Sequence, residues 1–235
     1  MDFNVAMVNE AVAAAAPDRV AIVWRDRRIT YELFTERTRR LANVLLDHRF
    51  EVRRERSDLL GWESGQDHLG LYLHNGNEYL EGMVGAYKAR VAPFNVNYRY
   101  VEEELLYLLN DSRARGLVYH SAFAPRVDAV RDEVPSLELL LQVADGSGHD
   151  LLAGSIWYED ALASASPEPP PVEPSPDDLY ILYTGGTTGM PKGVLWRQAG
   201  MKCSGTAATK AVGAWRAAHT CSIWRRLVAG PIHGV

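Results

Sequence analysis

The sequence predicts an α/β fold: a mainly parallel sheet with helices on both faces. Short apolar runs of strand length alternate with segments of helical periodicity along most of the chain. Strands that alternate with helices pair in parallel, and such sheets are covered on both sides. A glycine-rich segment directly after the apolar run Leu179-Tyr180-Ile181-Leu182 adds a loop at a strand end, where α/β proteins bind ligands. With 235 residues the chain can bury a substantial core.

The elements follow in order. The alanine-rich stretch Ala11 to Ala16 reads as a helix ended by Pro17. Val20-Ala21-Ile22-Val23-Trp24 and Ile29 flank the polar turn Arg25-Asp26-Arg27-Arg28, a hairpin pattern. Thr30 is placed to cap a helix with an apolar stripe of Leu33, Phe34, Leu41, Val44 and Leu45. Its polar face carries Arg37, Arg39 and Arg40, read as solvated. Glu51 to Asp58 reads as a loop, Leu69 to Leu73 as a strand, and Asn75 with Glu78 as a capping-box start to the next helix. Val91 to Val96 is extended. Glu102 to Leu109 is helical, with Glu102, Glu103 and Glu104 suited to its positive N-terminal end rather than to acid–base catalysis. Gly116 to Tyr119 is a strand, Val127 to Glu133 a helix and Leu137 to Val143 a strand. Half of the twelve prolines lie between Pro167 and Pro176, so residues 164–176 form an extended connector.

The chemistry concentrates in Tyr183-Thr184-Gly185-Gly186-Thr187-Thr188-Gly189-Met190-Pro191-Lys192-Gly193. Glycine lets backbone N–H groups approach an anion, threonine hydroxyls add donors, and Lys192 brings a positive charge. This is a cradle for phosphates. It is not a Walker A loop, because Met190 and Pro191 separate Gly189 from the lysine and Gly193 follows it.

The segment resembles the phosphate-binding signature of the adenylate-forming enzymes, Tyr-Thr-Ser-Gly-Thr-Thr-Gly-x-Pro-Lys-Gly, with Gly185 where serine is commoner. The resemblance extends upstream through His68 to Tyr79, Gly85 to Ala89, Val91 to Arg99 and Glu104 to Ser112, in wording closest to actinobacterial fatty-acid and sterol-side-chain CoA ligases. It covers residues 1–198. It implies the N-terminal part of an adenylation domain, incomplete in this chain, with Thr184, Gly185, Gly186, Thr187, Thr188, Gly189 and Lys192 holding ATP phosphates. It further implies ATP with Mg²⁺, a carboxylic acid and CoA as reaction partners. The family's other motifs have no match here, so no catalytic residue is assigned. The expectation is a truncated ligase, weak or inactive by itself, open to a complementing ligase fragment. The alternatives are an inactive gene remnant or a nucleotide-binding interaction module. A phosphotransfer ATPase of another class is disfavoured for want of its motifs.

Net charge of −5 gives no reason to expect nucleic acid as a partner. No apolar run is long enough for an integral membrane segment. Met1-Asp2-Phe3-Asn4 lacks the basic start of a secretory signal, so the cytoplasm is expected. Cys203 and Cys221 have no metal-ligand spacing, Ser204 has no nucleophile-elbow context, and the seven histidines show no metal motif. Only His74, at a strand end, is a candidate pocket-wall residue. Residues 199–235 contain no Asp or Glu, whereas the preceding residues hold all 30. Roughly five or six acids are expected in a tail of this length at the earlier density. The tail reads as frameshifted or disordered sequence, not as a basic arm.

Overall fold

The chain folds as alternating elements in a computed structural model that describes residues 4–186 and 189–200. Helix α1 (Val5–Ala15) precedes a hairpin of β1 (Val20–Trp24) and β2 (Arg27–Thr30). Then come α2 (Tyr31–Asp47), β3 (His68–Tyr72), α3 (Asn77–Lys88), β4 (Ala92–Asn95) and α4 (Glu102–Asp111). β5 (Ala114–His120), α5 (Ala124–Val130), β6 (Leu139–Val143), β7 (Ile156–Trp157) and α6 (Tyr158–Ser164) follow, and the antiparallel pair β8 (Leu179–Gly186) and β9 (Gly189–Arg197) ends the sheet.

Seven strands form one sheet in the order β7-β6-β5-β3-β4-β8-β9. Every neighbouring pair is parallel except β8–β9. Alternation along the strands sends side chains to opposite faces. Leu69, Leu71, Val118, Leu139 and Leu141 pack with α1, α2, α3 and α6 on one face. Tyr72, Phe94, Leu117, Tyr119 and Ile181 pack with α4 and α5 on the other. Helices therefore cover both faces, as expected. The β1–β2 hairpin lies apart and buries Ile22 and Ile29 with Phe34 and Val84.

The sheet centre is tight. A Cβ at Gly70 would lie 2.8 Å from Leu117 Cδ1 and 2.9 Å from the Phe94 ring. Only glycine fits where those two side chains cross the strand.

The Thr30 cap is present: its hydroxyl accepts the Leu33 N–H at 3.2 Å. Three expectations need correction. Gly76, not Asn75, caps α3, because Asn77 is drawn inside to donate to Glu81 Oε1 at 2.9 Å. Leu33 leaves the α2 stripe and stays exposed. The arginines of α2 are not simply solvated. Arg37 grips the fully buried Glu81 through two hydrogen bonds of 2.8 and 3.0 Å and also Glu159; Arg39 meets Glu10, and Arg40 meets Glu36. Glu81 also accepts the Tyr158 hydroxyl at 3.0 Å, which fastens α6 to α3.

Candidate phosphate-binding hairpin

The apolar run Leu179-Tyr180-Ile181-Leu182 starts β8, as its burial on the α4 side requires. The glycine-rich continuation, expected as a loop leaving the strand, stays in the sheet. β8 runs through Gly186, and β9 begins at Gly189, paired with it. Thr187 and Thr188 join the two strands and lie outside the described residues.

The pairing shifts by one residue between Thr184↔Lys192 and Gly186↔Gly189, so Met190 and Pro191 stand opposite Gly185. Proline has no N–H to donate, and a bulge in an edge strand accommodates that loss. This bulge is where the motif's Pro-Lys step matters: it fixes the register that makes Lys192 the direct neighbour of Thr184. Both are exposed, and Lys192 forms no ion pair among the described residues. Of the seven expected phosphate-binding residues, the structure thus gathers Thr184, Gly185, Gly186, Gly189 and Lys192 in one hairpin.

Tyr183 holds the hairpin to the domain. Its hydroxyl donates to Asp111 Oδ2 at the end of α4 at 2.8 Å, and its ring meets Phe94 edge-on, centroids 5.9 Å apart. Burial, followed by the Asp111 carboxylate, pushes this phenol far above its usual range. Gly193 pairs with Tyr183, and a Cβ there would sit 3.0 Å from the ring carbon bearing the hydroxyl. The last glycine of the motif therefore makes room for Tyr183.

The base of the hairpin is tied by Asp178, which is buried at 1% exposure. Its carboxylate accepts from Ser175 N–H at 2.7 Å, Arg90 Nε at 3.0 Å, Asn4 Nδ2 at 3.1 Å and Gln66 Nε2 at 3.2 Å. Burial nonetheless raises the Asp178 carboxyl above its ordinary value. Sequence reading passed over Asp178 and Asp111, since a lone acid before or far from a strand carries no local signal.

At the carboxyl ends of β3 and β5 lies a second group of side chains. His74 is exposed, and its ring packs against those of Phe123 and Tyr98 at 4.9 and 5.1 Å. The His74 N–H donates to His120 Nδ1 at 3.0 Å, which requires that nitrogen to be unprotonated. Burial pushes His120 down to about 4, against the opposing charge of Asp145. His74 thus lines the surface at a strand end, whereas His120, missed in the sequence, holds the loop that carries it.

Solved structures with this arrangement are N-terminal regions of adenylate-forming ligases. An anthranilate CoA ligase, AuaEII, solved with anthranoyl-AMP, shares the fold at a TM-score of 0.72 and 21% identity, over 84% of this chain and 35% of that one. The inhibitor-bound N-terminal domain of FACL13 from Mycobacterium tuberculosis matches at 0.67 and 26% identity, over 83% and 44%. A profile described as AMP-binding enzyme matches residues 9–225, and the chain belongs to that family. The medium-chain acyl-CoA ligase Mig of Mycobacterium avium is 60% identical over 196 residues, 83% of this chain and 36% of the ligase. A 3-oxocholest-4-en-26-oate–CoA ligase of Rhodococcus rhodochrous is 40% identical over 198 residues, 84% of this chain and 33% of that ligase. The chain spans about a third of the length of these relatives. Of the acid-free tail at 199–235, residues 201–235 lie outside the described residues.

Proposed function

We propose that this chain provides the ATP-phosphate grip of an AMP-forming acid–thiol ligase acting on fatty-acid or sterol-side-chain carboxylates. In that reaction a carboxylate attacks the α-phosphorus of ATP, giving an acyl-adenylate and pyrophosphate, and the CoA thiol then takes the acyl group. The observation that carries the reading is the exposed Thr184–Lys192 pair on a hairpin at the carboxyl end of the sheet. Pyrophosphate gains negative charge as it leaves, so donors fixed at the β- and γ-phosphates act in the transition state. Lys192 is the local cation. Thr184, Gly185, Gly186, Thr187, Thr188 and Gly189 contribute hydroxyl and backbone donors.

Mg²⁺ accompanies ATP in this scheme. Among the described residues no group of three or more His, Cys, Asp or Glu could hold a metal ion, so none is assigned as its ligand. No described helix is long and apolar enough to cross a membrane. The cytoplasm, with its ATP and CoA, is the compartment we assign. Adenine placement, carboxylate orientation and thiol transfer fall in this proposal to the part of the ligases with which the chain does not align, as a complementing fragment.

ATP–pyrophosphate exchange with a panel of carboxylic acids, together with direct pyrophosphate binding, tests the proposal. The expected result is weak pyrophosphate binding that Lys192→Ala reduces, with little or no acyl-CoA formed by the chain alone. Robust acyl-CoA formation unaffected by Lys192→Ala would overturn it.

A further inference from the structure

The loop that leads into β3 carries a pair of side chains that phosphate binding does not use. The Ser64 hydroxyl oxygen lies 2.7 Å from His68 Nε2. The other ring nitrogen, Nδ1, meets the Ser112 carbonyl at the end of α4. A carbonyl oxygen can only accept, so Nδ1 carries the hydrogen, and in the neutral ring Nε2 presents a lone pair. The Ser64 O–H therefore donates to Nε2; its alternative acceptor, the Gln66 carbonyl, is 3.5 Å away. The Gln66 N–H donates to the same hydroxyl at 3.3 Å. Burial pushes His68 below its ordinary value, against the Ser112 carbonyl and the Asp67 charge, so the ring keeps its base form at physiological pH.

A hydroxyl bonded to a neutral imidazole, whose far nitrogen is fixed by a third group, is the arrangement of a nucleophile and its base. Both neighbours in sequence are anchored. The Gly65 carbonyl accepts the Arg53 and Arg54 N–H groups at 2.7 and 3.2 Å. The buried Asp67 accepts Arg53 Nε at 2.8 Å and the Glu51 N–H at 3.0 Å. Ser64 itself is only partly buried, which leaves it open to a small reagent. The same loop presents Leu60 and Trp62 to solvent, 56% and 76% exposed, so apolar surface lies close in sequence to the hydroxyl. The pair sits where β3 begins, whereas the Thr184–Lys192 hairpin lies at the carboxyl end of β8 in the same parallel set.

We propose that Ser64 is a nucleophile, activated by His68 as general base, that takes an acyl group from small activated carboxylic esters. In that step Ser64 Oγ bonds to the ester carbonyl carbon, the ester C–O bond breaks, and the alcohol or phenol leaves. The Ser64 proton passes to His68 Nε2 and from there to the leaving oxygen, so acyl-serine and free alcohol are the products. The Ser112 carbonyl positions the ring. Neither nucleotide nor CoA takes part, so this reactivity stands or falls apart from phosphate binding.

The test is incubation of the full 235-residue chain with p-nitrophenyl acetate, and separately with a fluorophosphonate, followed by peptide mapping by mass. The peptide containing Ser64 is expected to gain one acetyl or phosphonyl group, faster than any other serine of the chain. Urea should abolish that preference, since the pair exists only in the fold. Ser64→Ala should remove the label, and His68→Gln should slow it at least about a hundredfold, the usual worth of a general base. Lys192→Ala should label like the parent. Labelling of Ser64 no faster than of other serines, or a folded His68→Gln chain that labels at the parent's rate, overturns the proposal and leaves the pair as a tie between loop and strand. Should His68→Gln fail to fold, the comparison of Ser64 with the other serines in the parent chain decides.

Discussion

The centre of the sheet and its β8–β9 edge belong to one hydrogen-bonded structure but differ in how completely they are covered: the centre is buried on both faces, the edge on one. Leu69, Leu71, Leu117, Val118 and Leu141 have no exposed surface, and Gly70 exists because two side chains leave no room for a Cβ. The hairpin has Val194 and Trp196 in solvent on one face, while Leu179, Ile181 and Leu195 pack into the α4–α5 cluster on the other, and the Tyr183–Asp111 bond and the four-donor Asp178 carboxylate add discrete ties at its two ends. The contrast teaches that stability and the proposed phosphate binding are separable here: packing density sets the first, and the register that brings Thr184 beside Lys192 would set the second.

The largest expected effect lies in the centre. Leu71→Ala should destabilise by about 2–5 kcal/mol, the usual cost of a buried leucine truncation, whereas Val194→Ala should stay within about 0.5 kcal/mol. Urea unfolding of both variants checks this, and similar losses at the two sites would erase the distinction. Next comes Lys192→Ala, expected to weaken pyrophosphate binding about tenfold, or roughly 1.4 kcal/mol, through loss of a charge-assisted contact. Calorimetric titration reads the affinity. An unchanged thermal midpoint would show that the lysine serves the ligand and not the fold.

A smaller loss is expected for Tyr183→Phe, about 1 kcal/mol for one neutral donor to a carboxylate that faces solvent. It should loosen the hairpin without altering the centre, so exchange should rise at β8 and β9 amides and not at β3 or β5. Uniform acceleration would contradict this.

The subtlest effect concerns pH. His120 has a folded value lowered from 6.5 to about 4 by burial. Between these values the unfolded chain binds the proton more readily than the folded one, so stability from this group is full above pH 6.5 and is lost as pH falls through about 4. Asp67 is lowered from 3.8, its burial outweighed by Arg53, the Glu51 N–H and Arg115, so its contribution is present above pH 3.8 and is lost below it. His120→Gln should flatten the decline between pH 6.5 and 4 and leave the steeper acid limb intact. Thermal midpoints across that range would falsify the assignment if the two proteins fell in parallel.

Local sequence determined much of this protein. The β1–β2 hairpin, the Thr30 cap, the strands β3 to β6 and the glycine-threonine-lysine motif all follow from signals within a few residues, because side-chain period and backbone preference act at that range. Helix ends were less legible. α2, α3 and α4 are each followed by an arginine at positive φ, Arg49 at 61°, Arg90 at 56° and Arg113 at 49°, where glycine is the usual sign. Arg90 is kept there by its ion pairs with Glu55 and Asp178, partners distant in sequence.

Tertiary structure alone decided β9. Gly189-Met190-Pro191-Lys192-Gly193 has the composition of a turn, and two glycines and a proline argue against a strand. Pairing with β8 overrides that preference, since an edge strand tolerates proline at a bulge and Gly193 is required beneath Tyr183. The same holds for the arginines of α2. The sequence shows a polar helix face, but whether it meets solvent or the buried Glu81 depends on where α3 and α6 are brought by the sheet. Residue identity fixed the hydroxyls, glycines and lysine proposed to hold phosphate; strand register, a property of two segments at once, decided that Thr184 and Lys192 stand side by side.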